Sequence, residues 1–259
     1  EDTLSLHDAL PISMKAMIFA AGLGTRLRPL TDSIPKALVP VNGKPLLEHI
    51  ILKLKDAGFD EIIVNVHHFP DKIIDFLRSK NNFNIRIEVS DEREMLLDTG
   101  GAIKKAAYFF DDEKPFLVHN VDILSNLDLK EVYCQHAANP DRLATLVVSH
   151  RDTYRYLLFD EQELLCGWVN EKTGETKPGH FSDINAFNKL AYAGIQVLSP
   201  KAIQLMNKQE DKFPIMYFYL QNCRSEKIAA YIPENLMMMD MGKTDTLKDA
   251  DQFAKQNML

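Results

Sequence analysis

The chain has 259 residues, 46% hydrophobic and 26% charged, enough apolar material for a sizeable core. Its 30 Lys and Arg against 37 Asp and Glu give a net charge of −7, which excludes a general nucleic-acid-binding surface but not a local basic loop for a small anion. No apolar run reaches the roughly 18 residues of a membrane helix, and Cys134, Cys166 and Cys223 have no metal-ligand spacing, so they read as buried free thiols of a reducing cytoplasm.

Residues 1–13, EDTLSLHDALPIS, precede a clean start at Met14. Without a positive n-region or a long apolar stretch they form no signal peptide. They resemble translated adapter read-through and are expected to be a non-native leader, disordered or loosely docked, before a single domain over residues 14–259. Residues 15–21 read as a buried strand, followed by a glycine-rich basic loop. Residues 45–57 place apolar side chains at helical spacing, with Pro45 in the first turn and Gly58 as the stop. Strands are predicted over 61–66, 84–90, 116–120 and 143–149, and helices over 70–80, 100–110 and 127–138. That alternation implies parallel pairing with right-handed crossovers. After about residue 150 the rhythm changes. Residues 156–159 and 164–169 suggest a hairpin, and 171–188 a polar exposed loop. Strands follow over 190–198 and 227–232, helices over 200–208 and 214–223, and a last helix over 244–257 with Thr244 as N-cap. The expected fold class is α/β: a mixed, mostly parallel sheet flanked by helices, with a small added β region in the second half.

The first motif is Ala20-Ala-Gly-Leu-Gly-Thr-Arg-Leu-Arg-Pro-Leu30, directly after the first strand. Its glycines let backbone N–H groups approach phosphate oxygens, and Arg26 and Arg28 add charge. A tight turn with two surface arginines explains the same residues. A dinucleotide fingerprint is excluded because Leu27 stands where its third glycine belongs. A P-loop is excluded because Gly43-Lys44 is followed by Pro45. Lys36, between Pro35 and Pro40, is held on a stiff stretch that could reach the same phosphates, or is simply solvated.

Taken together, residues 20–45 closely resemble the N-terminal motif of sugar-1-phosphate nucleotidylyltransferases, a family with a Rossmann-like α/β fold. The resemblance implies that Ala21, Gly22, Gly24 and Thr25 bind the nucleotide. Arg26 would grip its triphosphate and Lys36 contact phosphate during transfer. Leu97-Asp-Thr-Gly-Gly101 resembles the family segment that holds base and ribose, which puts Thr99 and Gly100 on the nucleotide; Thr99 also reads as a helix cap. Asp122 matches a Mg²⁺-binding aspartate, although Val121 replaces the family glycine before it. Met239-Asp-Met-Gly242 resembles a late motif whose Asp240 is the second metal carboxylate, with Met239 for the usual aromatic. Ala191-Tyr-Ala-Gly-Ile195 resembles the strand that backs the sugar, implying that Ala193 and Gly194, with Asn120, line the sugar pocket. A Glu-Lys-Pro motif of many members is not matched, because Thr173 follows Glu171-Lys172. Short bacterial members acting on N-acetylmuramic acid 1-phosphate look nearest, and similar chains serve mannose 1-phosphate.

The implied reaction is Mg²⁺-dependent transfer of a nucleoside monophosphate from a nucleoside triphosphate to a sugar 1-phosphate, releasing pyrophosphate. It needs alignment and charge neutralisation, not a protein nucleophile. The expected partners are those two substrates, with no nucleic acid and no membrane, in the cytoplasm. Without a hexapeptide repeat, no acyltransferase activity is expected. Two alternatives remain open: a cytidylyltransferase for a small phosphorylated alcohol such as phosphocholine, and a non-catalytic nucleotide-sugar-binding subunit, the latter motivated by Val121. His67 and His68 read as turn or pocket-wall residues. Met237 to Met239 and the aromatics over 213–219 read as core.

Overall fold

The computed structural model describes residues 13–242 and 244–256, with only backbone for 244–248. The expected leader up to residue 12 and the expected cap by the Thr244 side chain lie outside the described residues. Ser13 donates to the carboxylates of Asp60 and Glu61.

The first half contains β1 (Met14–Phe19), β2 (Pro40–Val41), β3 (Lys44–Pro45), α1 (Leu46–Asp56), β4 (Phe59–Val66), α2 (Pro70–Ser79), β5 (Arg86–Asp91), α3 (Asp98–Lys105), β6 (Phe116–Asn120), β7 (Ile123–Ser125) and α4 (Leu129–Ala137). The second half contains β8 (Arg142–Ser149), β9 (Arg155–Phe159), β10 (Leu165–Asn170), β11 (Glu175–Lys177), β12 (Asn188–Leu198), α5 (Pro200–Met206), α6 (Ile215–Asn222), β13 (Lys227–Tyr231), β14 (Met238–Asp240) and α7 (Thr244–Gln256). The main sheet runs β11-β10-β9-β12-β6-β1-β4-β5, and β8 pairs with β12 and β13. β1 is parallel to both β4 and β6, β4 to β5, and β8 to β13. β12 is antiparallel to β6, β8 and β9. The sheet is mixed, and its parallel part is where the first-half motifs end.

β1 forms because its run is apolar on both faces, as a strand covered on both sides requires. Ala16 and Ile18 join one core with α1, α2, α4 and α7; Met17 joins the other with α3, α5 and α6. α1 buries Leu46, Leu47, Ile50, Ile51 and Leu54 on one stripe, so truncating Ile51 or Leu54 to Ala should cost about 2–5 kcal/mol. Gly58 ends the connection at φ +93°, donating to Lys55 O, where a Cβ would come within 3.0 Å of Met14 Cε.

Several expectations change in detail. The polar stretch 171–188 is not all loop. Its Glu175, Thr176 and Lys177 form β11 against Asn170, Val169 and Trp168, after a turn closed by Gly174 N–H on Asn170 O. An exposed edge strand has no apolar face, so no alternation marks it. The helix predicted over 100–110 is α-helical only to Lys105 and then tightens to a 3₁₀ turn. The three thiols are half-buried rather than buried, and Met237 is exposed beside half-buried Met238 and Met239. Among the described residues no helix is long and apolar enough to cross a membrane.

Candidate active site

The carboxyl ends of β1 and β6 open into a cavity of about 240 Å³, where ligands bind in open α/β sheets. Ala21, Gly22, Lys36, Thr99, Asn120 and Asp122 all line it. The glycine loop leaves β1 at Phe19, whose carbonyl accepts from Val121 N–H. At Gly24 the loop turns left-handed (φ +63°), and Gly24 O accepts from Leu27 N and from Thr31 Oγ1 at 2.8 Å each. A Cβ there would sit 2.8 Å from Thr31 Cγ2 and 3.2 Å from Lys36 Cβ, so the absent side chain lets the loop lie on the Lys36 segment. Gly22, Thr25 and Arg26 remain exposed.

Lys36 is 8% exposed and its ammonium pairs with Asp122 Oδ2. Pro35 enters in an extended conformation, and Val39 N–H closes the 3₁₀ turn on Lys36 O. Asp122 lies in the tight connection between β6 and β7. Val121 before it needs no left-handed backbone; it packs into the core and also forms part of the cavity wall.

Asp240 arrives from the far end of the chain. β14 pairs antiparallel with β7, setting Asp240 opposite Ile123, and Met241 N–H donates to Asp122 O at 2.8 Å. Gly242 N–H donates to Asp240 Oδ1 at 2.7 Å. A Cβ on Gly242 would lie 2.6 Å from Arg26 Nη2 and 2.7 Å from Asp240 Oδ1, so guanidinium, carboxylate and backbone crowd one rim. At the sugar-side motif Gly194 has φ +79° and sits in a bulge of β12, with space for a Cβ taken by Asn120 Nδ2 at 2.8 Å. Ala193 is buried in the core rather than on the cavity.

The Leu97–Gly101 motif is used differently from the expectation. Thr99 does not cap α3. Its Oγ1 accepts from Ile215 N–H at the start of α6, and Leu97 occupies the cap position. Gly100 and Gly101 N–H both donate to Phe213 O, and a Cβ on Gly100 would overlap the Phe213 ring. The missing Cβ at Gly100 thus makes room for that ring. Below Asn120, fully buried His119 is pushed down to about 4 by burial, which keeps the imidazole neutral under the site.

The family model described as nucleotidyl transferase matches residues 15–257. The chain belongs to the nucleotidyl transferase family. Among its relatives, an N-acetylmuramate alpha-1-phosphate uridylyltransferase of Caulobacter vibrioides is 32% identical over 228 residues, covering 86% of this chain and 90% of that protein. The protein of the same name from Neisseria meningitidis serogroup B is 31% identical over 197 residues, covering 73% and 76%. Among solved structures, HddC from Yersinia pseudotuberculosis complexed with GMP-PN superposes with a TM-score of 0.74 at 26% identity, covering 93% of this chain and 99% of that one.

The sequence motifs leave out two polar residues of this nucleotidyl transferase site. Asn65 lines the cavity from β4, and Glu92 follows β5 directly behind it. The available signal was an asparagine inside the apolar run Ile-Ile-Val-Asn-Val. Burial raises the Glu92 pKa, against hydrogen bonds from Asn65 and Leu97 that lower it.

Proposed function

We propose that this nucleotidyl transferase joins the uridylyl group of UTP to N-acetylmuramate 1-phosphate and releases pyrophosphate. The observation that carries the nucleotidyl-transfer part is the convergence of the glycine loop, Lys36 and Asp122 on one cavity at the strand ends. The choice of UTP and of this sugar is supported by two relatives of that name, each covered over most of its length.

The sugar-phosphate oxygen attacks the α-phosphorus; the new P–O bond forms as the α–β bridging bond breaks. The attacking oxygen is already anionic, so no protein base is required. What the protein must overcome is repulsion between two anions. The loop at Ala21 to Thr25 offers backbone N–H groups to the triphosphate, and exposed Arg26 adds a charged fork. Lys36 supplies a second cation, held rigidly by its packing. Asn120 forms the acceptor side, with its amide lying against buried Gly194.

Asp122 and Asp240 fit Mg²⁺ by chemistry: two hard carboxylates, one just before β7 and one on its partner strand β14, to be completed by phosphate oxygens and water. Among the described residues no group of three His, Cys, Asp or Glu would hold an ion alone. A bound ion would polarise the α-phosphate and screen charge. If Asp122 held the ion, the Lys36 ammonium that now pairs with it would be left for phosphate oxygens. A cytoplasmic setting and a single domain over residues 14–259 belong to the same proposal. Deleting residues 1–13 should leave turnover unchanged.

Pyrophosphate release tests this reading with four nucleoside triphosphates against N-acetylmuramate, N-acetylglucosamine, mannose and glucose 1-phosphates and phosphocholine, with and without Mg²⁺. Release confined to UTP, N-acetylmuramate 1-phosphate and Mg²⁺ is expected. Another productive pair would keep the class and replace the substrates. No release from a folded chain would reject the enzymatic reading.

A further inference from the structure

A line of buried hydrogen bonds crosses the carboxyl ends of three neighbouring parallel strands. Ala20 N–H, just past β1, donates to Asn65 Oδ1 on β4 at 2.8 Å. Asn65 Nδ2 donates to Glu92 Oε1, just past β5, at 2.8 Å. Glu92 Oε2 accepts from Leu97 N–H at 3.1 Å. Asn65 and Glu92 are 3% and 1% exposed, so no water replaces these partners cheaply. The Glu92 backbone is pinned as well: its N–H donates to Val66 O, and its carbonyl contacts His67 Nδ1 and accepts from Met95 N–H. No ion pair of Glu92 is present among the described residues, so the carboxylate is held by amide donors rather than by a cation.

We infer that Asn65 and Glu92 are positioning residues that lock the Leu96–Thr99 side of the nucleotide cavity to the root of the glycine loop. The inference rests on the reading that this cavity takes the nucleoside triphosphate. Its logic lies in donors and acceptors. Both groups that point at Glu92 are donors, so position 92 needs an acceptor-only side chain. Asn65 must accept from one side and donate to the other, which its amide does with two separate atoms and a carboxylate cannot. Without this line, Leu97 N–H and Ala20 N–H lose their acceptors. The two walls of the cavity are then tied only through the strands beneath.

The chemistry also predicts its own rescue. Glu92→Gln places an NH₂ group against either Asn65 Nδ2 or Leu97 N–H. Asn65→Asp sets two carboxylates face to face. In the double variant the new carboxylate at position 65 accepts from Ala20 N–H and from the new amide at position 92. That amide's oxygen accepts from Leu97 N–H. All the bonds return with the polarity of the central one reversed.

The test is equilibrium binding of UTP, with steady-state KM for the sugar 1-phosphate, on wild type, both single variants and the double variant. Each single should weaken UTP binding by about tenfold, the equivalent of losing one buried hydrogen bond to a charged group, with the acceptor KM unchanged. The double should return to within about twofold of wild type. Singles that bind UTP as wild type does would overturn the positioning role. So would a double that binds as weakly as the two singles combined, since that would mean Asn65 acts by direct contact. A wild-type chain that binds none of the four triphosphates would reject the nucleotide reading itself, and the positioning role with it.

Discussion

The two halves of the sheet meet where β6 pairs with β12, and they frame their ends by different means. On the β6-β1-β4-β5 side the strand ends are joined by buried polar bonds: Ala20 to Asn65 to Glu92, and Lys36 to Asp122. On the β12-β9-β10 side Trp168, Tyr192, Met216, Tyr217 and Leu220 wall a cavity of about 620 Å³, with Arg155 and Lys177 at its edge. Polar bonds in a low-dielectric interior have one satisfied arrangement, and breaking one strands a partner. Apolar walls lose contact area gradually and accept exchanges of similar volume. The first half is therefore built to hold fixed geometry, and the second to let one pocket surface vary.

The largest effect should come from breaking the first half at its carboxylates. Asp122→Asn and Asp240→Asn should each reduce kcat by about 10²–10³, typical of removing one electrostatic contributor from a transfer site, while keeping the urea unfolding midpoint. Near wild-type rates in both variants would remove them from the site. Next in size is Gly24→Ala. Its left-handed backbone costs about 1–2 kcal/mol for any residue with a Cβ. The clash with Thr31 and Lys36 adds about 1–3 kcal/mol more. The unfolding midpoint and the UTP affinity should fall together, because Lys36 is displaced in relieving the contact.

How much of this was legible follows from chain distance. The glycine loop and Lys36 fall within residues 20–45, and their contact runs over a short stretch of local backbone, so it was legible through the family resemblance of that continuous motif; spacing alone left a tight turn and a solvated lysine as open readings. Asp122 and Asp240 were legible as separate motifs, but not their meeting. That rests on β7 and β14, three-residue strands too short for a periodic signal. The packing of Gly100 against Phe213, far along the chain on the segment leading into α6, had no local signal. The meander β9-β10-β11 was legible where Leu157, Phe159, Leu165 and Val169 turn inward, and hidden where Glu175 to Lys177 form a solvated edge.

A pH experiment sharpens the comparison, because one buried histidine lies on β6 at the edge of the first half and another packs against β8 of the second. His119 lies on β6. His136 on α4 faces β8, where its Nδ1 contacts Thr145 Oγ1 at 2.9 Å. Burial pushes both down to about 4, with Lys53 also disfavouring charge on His119 and Arg142 on His136. The unfolded chain takes up these protons near pH 6.5 and the folded chain only near pH 4. The stability is thus complete above about pH 6.5 and is lost as pH falls towards 4. At pH 5 each histidine should account for about 2 kcal/mol of loss relative to pH 7.5. The urea midpoint should drop over that interval, and His136→Gln should remove its share of the drop. A variant with the full wild-type drop would show that His136 does not carry it.

The smallest effect isolates what the site adds to an ordinary turn. Gly174, between β10 and β11, has φ +72°, close to the +63° of Gly24, but a Cβ there would meet nothing within 4 Å. Gly174→Ala should therefore show the backbone cost alone, about 1 kcal/mol, with unchanged turnover and unchanged UTP affinity. The two glycines share a conformation and differ in their surroundings, so the gap between the two variants measures the crowding of the loop against Thr31 and Lys36. Equal losses would mean that this contact relaxes freely, and that φ alone selects glycine in the phosphate loop. A larger loss at Gly24, accompanied by weaker UTP binding, would mean that the close approach of loop to lysine is itself part of the site.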